Sequence, residues 1–176
     1  MRKKVWSFVA GLAAVTLVVW ASSRSEANVE TMVNQPAPAF KLKSLDGKEI
    51  SLDQYKGKVV LLDFWAVWCP PCIAGLPHLG EIAADAKRAD QGLVVIAVDA
   101  GDAEEKVRKL IKPDYKFTTV IDPDTKVFEA YKAEGLPSRV VVGRDGQIKF
   151  AVEGFSLGED TDAKILEAVD KALAAK

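Results

Sequence analysis

Nine consecutive residues constrain this chain more than any others: Phe64-Trp65-Ala66-Val67-Trp68-Cys69-Pro70-Pro71-Cys72. They hold both cysteines of the protein, spaced Cys-x-x-Cys, and they overlap the end of a strongly apolar run, Val59-Val60-Leu61-Leu62-Asp63-Phe64. That run is apolar on both alternating faces, which suits a central strand covered on two sides. After Cys72 the spacing changes to that of a helix, with Ile73, Leu76, Leu79 and Ala83 along one stripe. A thiol pair therefore sits where a buried strand ends and a helix begins.

A helix start leaves backbone N–H groups unpaired and carries partial positive charge, so it favours an anion. A cysteine held there binds its proton less tightly, and the thiolate is the nucleophilic form. Cys69 stands at the helix mouth and Cys72 about one turn further in, within reach of its sulfur. Pro70 and Pro71 remove two donors but preset helical φ in the first turn. These features point to reversible redox chemistry. A zinc site would lack ligands, since there is no second Cys pair and the only histidine is His78. Haem attachment needs histidine after the second cysteine, where Ile73 stands.

The start of the chain has the shape of a targeting segment. Arg2, Lys3, Lys4 and Arg24 against Glu26 leave the first 27 residues at +3, although the whole chain carries only −1. Val5 to Trp20 is uncharged, the length of a signal-peptide core or a marginal anchor. Ser25-Glu26-Ala27 offers small residues for cleavage, whereas Trp20 suits an interfacial anchor of a retained helix. We assign residues 1–27 to a signal peptide or a membrane anchor, the second with attachment through residues 5–20. Both readings place the rest outside the cytoplasm, in the periplasm or an equivalent compartment. A near-neutral chain gives no reason to expect nucleic acid. A bridge across so short a Cys-x-x-Cys loop restricts the unfolded chain little, so stability is a weak explanation for it.

Residues 28–39 are polar and proline-bearing and read as a linker to a domain over 40–176. Phe40 to Lys43 and Ile50 to Leu52 alternate around Asp46-Gly47, a hairpin signature. Pro77 is expected to kink the helix after the cysteines. His78 reads as a structural histidine, well over a turn from Cys72. Leu93 to Val98 is a second two-faced strand, and Asp102 with Glu105 resembles a capping box for a helix stopped by Pro113. Thr118 to Ile121 reads as a strand, with Asp124 capping a brief helix after it. Arg139 to Val142 and Ile148 to Val152 form a hairpin, followed by a helix capped near Asp160 or Thr161. Strands and helices alternating in this way predict an α/β fold with a mixed sheet.

With Trp68-Cys69-Pro70-Pro71-Cys72, Gly135-Leu136-Pro137-Ser138 and this element order in view, the chain resembles the thioredoxin superfamily over about residues 34 to 175. More narrowly it resembles the exported TlpA/ResA/DsbE group of thiol–disulfide oxidoreductases. The resemblance implies a thioredoxin-like mixed sheet flanked by helices, with an N-terminal β-hairpin and an inserted strand–helix segment between Leu93 and Ile121. It makes Cys69 the attacking thiolate, Cys72 the resolving thiol and Pro137 a cis-proline beside their disulfide. Leu136 would offer backbone to a substrate strand, and Trp65 and Trp68 an apolar docking surface. Asp63 occupies the place of the buried aspartate of thioredoxins, where many of the exported group carry asparagine. A desolvated carboxylate there could take the Cys72 proton. Pro70 replaces the acidic residue that some members carry between the cysteines.

The implied function is reduction of disulfides in exported proteins, such as apocytochrome c or copper-site proteins, with a membrane thiol–disulfide carrier restoring the dithiol and no cofactor required. An alternative is a Cu(I)-binding module built on the same two thiolates, which lacks a third soft ligand. The leading segment also resembles peroxiredoxins, but Ala66 stands where those need threonine.

Overall fold

The computed structural model describes residues 28–154 and 159–175, so the segment over 1–27 expected to be a signal peptide or anchor lies outside the described residues. Seven strands form one sheet: β1 (Lys41–Ser44), β2 (Glu49–Ser51), β3 (Val59–Trp65), β4 (Leu93–Ala100), β5 (Thr118–Asp122), β6 (Ser138–Val142) and β7 (Ile148–Glu153). Their spatial order is β2-β1-β5-β4-β3-β6-β7. Among the described residues five α-helices accompany them: α1 (Pro70–Ala84), α2 (Ala86–Asp90), α3 (Glu104–Leu110), α4 (Lys126–Ala130) and α5 (Glu159–Ala174). This is the thioredoxin-like α/β arrangement, with a mixed sheet between helices. The hairpin turns at Gly47, whose φ of 81° favours glycine. It joins the sheet through β5, because β1 pairs antiparallel with that strand.

β3 lies at the centre, parallel to β4 and antiparallel to β6, and all seven of its residues are buried. Its alternation divides the core. Val59, Leu61 and Trp65 join Leu76 and Leu79 of α1, Val107 of α3, and Ile165 and Val169 of α5. Val60, Leu62 and Phe64 meet Val127 and Tyr131 on the opposite face. There the Phe64 ring lies 5.3 Å from that of Tyr131 and 6.0 Å from that of Phe128. Tyr131, fully enclosed, donates its hydroxyl to the Pro38 carbonyl at 2.9 Å. Burial pushes its ionisation far above the ordinary phenol range.

Several local expectations need correction. Residues 28–39 are part of the fold rather than a linker. A 3-10 turn over Val29–Met32 buries Val29 and Met32 in the second core layer. The following residues then bond to β7, with Asn34 N–H donating to the Ile148 carbonyl and Ile148 N–H to that of Gln35. Two apolar side chains in a polar stretch carry no periodicity, so only the tertiary partner reveals their role. The N-cap of α3 is Ala103 rather than Asp102, whose carboxylate is used elsewhere. Thr125 rather than Asp124 occupies the N-cap position of α4 but makes no side-chain capping bond; buried Asp122 instead accepts from the N–H groups of Val127 and Phe128.

Because Val29 is fully buried, Val29→Ala should cost about 2 kcal/mol of stability through lost apolar burial and the cavity left behind. Urea unfolding checks this, with a lower midpoint and an unchanged slope. A neutral result would mean that the segment is only a tether.

Candidate active site

β3 delivers the chain to the site. It ends at Trp65; Ala66, Val67 and Trp68 follow, and Cys69 is the N-cap of α1. Pro70 and Pro71 fill the first two helical positions without donors. The first main-chain N–H of the helix therefore belongs to Cys72, and it points at the Cys69 sulfur at 3.3 Å. The Ile73 N–H closes the turn on the Cys69 carbonyl at 3.1 Å. A sulfur thus stands where a helix start most favours negative charge. Cys69 and Cys72 are joined by a disulfide, with Cα atoms 5.3 Å apart, and both are buried.

The loop before Cys69 is tied down from a distant element. Val67 N–H donates to the Asp102 carboxylate at 2.7 Å, and Asp102 N–H donates to that of Asp99 at 3.0 Å. Asp99 lies at the end of β4 beside Trp65. It is completely enclosed, and burial pushes its carboxyl up to about 7, helped by the neighbouring negative charge of Asp102 and opposed by the hydrogen bond from the Asp102 backbone.

Of the residues expected to form a docking surface, the two tryptophans divide. Trp68 is 67% exposed, whereas Trp65 is fully buried in the core under α1. Trp65 is therefore structural, and the expectation that it offers docking surface is corrected. The strand period explains the split, since Trp65 still belongs to β3 while Trp68 belongs to the loop. The Leu136–Pro137 peptide bond is cis. It lies just ahead of β6, whose Ser138 pairs with Phe64, so this peptide is at the same end of the sheet as the exit of β3. Leu136 is half-buried between the two core layers.

Asp63 is neither solvent-facing nor alone. It shares the face of Leu61 and Trp65, is buried, and accepts from Arg139 Nε at 2.7 Å. Arg139 stands opposite it in β6 and is itself buried. Burial pushes the Asp63 carboxyl upward, the Arg139 guanidinium pulls it back, and the negative charge of Asp162 adds to the rise. Arg139 Nη1 also donates to Asp162 of α5 at 2.6 Å. His78 lies on the outer side of this network, its Nε2 3.6 Å from Asp162 and its Nδ1 3.3 Å from Glu81. That is consistent with a structural role for His78.

Sequence reasoning missed Arg139, Asp162 and the Asp99–Asp102 tie. A signal was present for the first, because Arg139 interrupts an apolar strand as Asp63 interrupts its neighbour. Among the described residues no group of three or more His, Cys, Asp or Glu side chains is placed to hold a metal ion.

The chain that carries this cysteine pair has counterparts among known proteins. The AhpC/TSA family matches residues 33–151. The thiol-disulfide oxidoreductase ResA of Bacillus cereus is 34% identical over 76% of this chain and 74% of its own. The chain belongs to the AhpC/TSA family, among its ResA-like thiol-disulfide oxidoreductases. Solved structures agree. The exposed lipoprotein thioredoxin of Streptococcus pneumoniae has a TM-score of 0.63 and 32% identity, covering 76% of this chain and 99% of its own. The thioredoxin domain of a thiol-disulfide oxidoreductase from Bacteroides vulgatus has a TM-score of 0.65 and 29% identity, covering 78% of this chain and 97% of its own. This ResA-like chain is thus a thiol-disulfide oxidoreductase of thioredoxin fold.

The elevated Asp99 carboxyl sets a pH dependence. Its folded-state value of about 7 lies above the ordinary 3.8, so the folded protein holds a proton that the unfolded chain releases. Its stabilising contribution is complete below the lower value and is lost as pH rises through the upper one. Stability of the wild type relative to Asp99→Asn should therefore fall across this window and level off above it. Urea unfolding at a series of pH values checks the slope, and parallel curves for the two proteins would refute the assignment.

Proposed function

We propose that the dithiol form of this ResA-like protein donates electrons to disulfides of exported proteins. The observation that carries the reading is the Cys69 sulfur capping α1 with Cys72 bonded to it. Cys69 attacks one sulfur of the target disulfide, and the target's other sulfur leaves with the electron pair of the broken bond. Cys72 gives up its proton to Asp63 and attacks the Cys69 sulfur. The bond between Cys69 and the target breaks, the target departs as a thiolate, and the Cys69–Cys72 disulfide remains. Two electrons have passed from the cysteine pair to the target.

The surroundings suit these roles. Trp68 offers an exposed apolar contact beside Cys69. The backbone around Leu136 and cis-Pro137 gives an extended partner something to pair with. Asp63 is a carboxylate in an apolar layer, where its proton affinity rises toward that of a useful base. A membrane thiol–disulfide carrier would return the pair to its reduced form, and targets such as apocytochrome c or copper-site proteins fit this chemistry. The basic, then uncharged, N-terminal segment supports an extracytoplasmic location, as does one relative being an exposed lipoprotein. Among the described residues no helix is long and apolar enough to cross a membrane.

Cys69→Ser should reduce insulin disulfides at least about 1000-fold more slowly than the wild type, since no other group replaces the attacking sulfur. Cys72→Ala should instead stall with the target bound to Cys69, visible as a thiol-sensitive conjugate on a non-reducing gel. Wild-type turnover by Cys69→Ser would end the proposal, and a conjugate trapped by Cys69→Ser through Cys72, with none formed by Cys72→Ala, would reverse the two roles.

A further inference from the structure

The Arg139 guanidinium occupies an unusual place. It is buried beneath α1 and divides its donors between two carboxylates on different elements, Asp63 of β3 and Asp162 of α5. Its Nη2 lies only 3.1 Å from where a side chain on Gly75 would begin. Gly75 is three residues beyond Cys72 on the same helix, so the absence of a side chain there lets the helix that carries the resolving thiol settle onto the guanidinium. Cys72, Asp63 and Arg139 therefore belong to one buried layer between α1 and the sheet.

We propose that Arg139 is a positioning residue for the exchange step, its guanidinium shared between Asp63 and Asp162 so that Asp63 is held ready to take the Cys72 proton. The inference rests on the reading of Asp63 as that acceptor. Among the described residues, the charged or titratable groups around the carboxylate include Arg139 from β6, Asp162 from α5, and, further out on α1, His78 and Glu81. On the β4 side its register partner is Ala97, which carries no charge. Within this set the two nearest charges act oppositely. Arg139 favours the ionised carboxylate, whereas Asp162 opposes it and draws on the same guanidinium.

The proton movement follows from the balance of charge. In the mixed disulfide the Cys72 proton passes to ionised Asp63, the freed sulfur electron pair forms the bond to Cys69, and the pair of the broken bond leaves on the target sulfur. Protonated Asp63 then returns its proton to solvent or to the departing thiolate. An Asp63 already protonated cannot begin this sequence, so the step accelerates with pH along a limb set by Asp63. Replacing Arg139 by a neutral side chain moves that limb to higher pH; replacing Asp162 by a neutral one moves it to lower pH. A purely structural role would not produce shifts of opposite sign.

The test is stopped-flow mixing of the reduced full chain with 5,5′-dithiobis(2-nitrobenzoate), in which the second release of coloured thiolate reports Cys72 attack on the Cys69 adduct. Arg139→Met should move the limb up by about 1–3 pH units, the range over which a neighbouring arginine shifts an aspartate. Asp162→Asn should move it down, and because Asp162 is only part-buried this variant remains informative should Arg139→Met not fold. Asp63→Asn should leave only the unassisted thiol ionisation, and Arg139→Met should add no shift in that background. Identical limbs in the wild type and Asp162→Asn, or an Arg139→Met shift that survives in Asp63→Asn, would overturn the inference. A wild-type limb in Asp63→Asn would instead overturn the acceptor reading beneath it.

Discussion

Burying β3 on both faces is the constraint on which the rest of this structure depends. A strand with no solvent side must satisfy every polar group it carries from within. Five of its seven residues are wholly apolar and need only be covered, and Trp65 adds one buried indole N–H, which finds no hydrogen-bond partner among the described residues. The seventh, Asp63, needs a cation, and the antiparallel neighbour supplies Arg139 at the same register position. The pair makes the pairing of β3 with β6 an electrostatic match as well as a hydrogen-bonded one. Removing one partner of such a buried pair typically costs about 3–5 kcal/mol, because the other charge is left stranded. A slip of one residue would face Asp63 with Val140 or Ser138 and bring the wrong side chains to each core layer.

The same strand sets the chemistry at its end. The chain must leave the sheet and turn into α1 in four residues, Ala66 to Cys69. That turn is held by Val67 on Asp102 and by Cys69 on the Ala66 carbonyl. With two prolines at the helix start, the donor presented to the Cys69 sulfur belongs to Cys72, its own redox partner. A helix start needs an acceptor, and this helix is capped by sulfur. Three aspartates lie around the strand ends, each with a separate task. Asp102 holds the loop, Asp99 receives the Asp102 backbone, and Asp122 starts α4.

Much of this was legible in the residues. The two-faced strands over 59–64 and 93–98, the Asp46-Gly47 hairpin and the helix after Cys72 each carry a local pattern, and local patterns survive being read one window at a time. The cysteine pair was legible for the same reason. Less visible was whatever depended on a partner far along the chain. Val29 and Met32 gave no periodicity, yet they close the second core layer. Asp102 resembled a helix cap because the backbone it serves lies 35 residues earlier. Trp65 and Trp68 are alike in composition and neighbourhood, and only the end of the strand between them separates a core residue from an exposed one.

The amino-acid sequence by itself determined the element order, the placing of a thiol pair at a strand-to-helix junction and, through its family, the class of reaction. These follow from short-range rules: alternation, helical spacing, proline at the first turn and sulfur at the cap. Only the tertiary structure decided which charge answers Asp63, which tryptophan meets solvent and what anchors the loop before Cys69. Those outcomes turn on the register of β3 against β6 and on the packing of α1 and α5 over the sheet, where residues 76 apart in the chain, Asp63 and Arg139, come within hydrogen-bond distance.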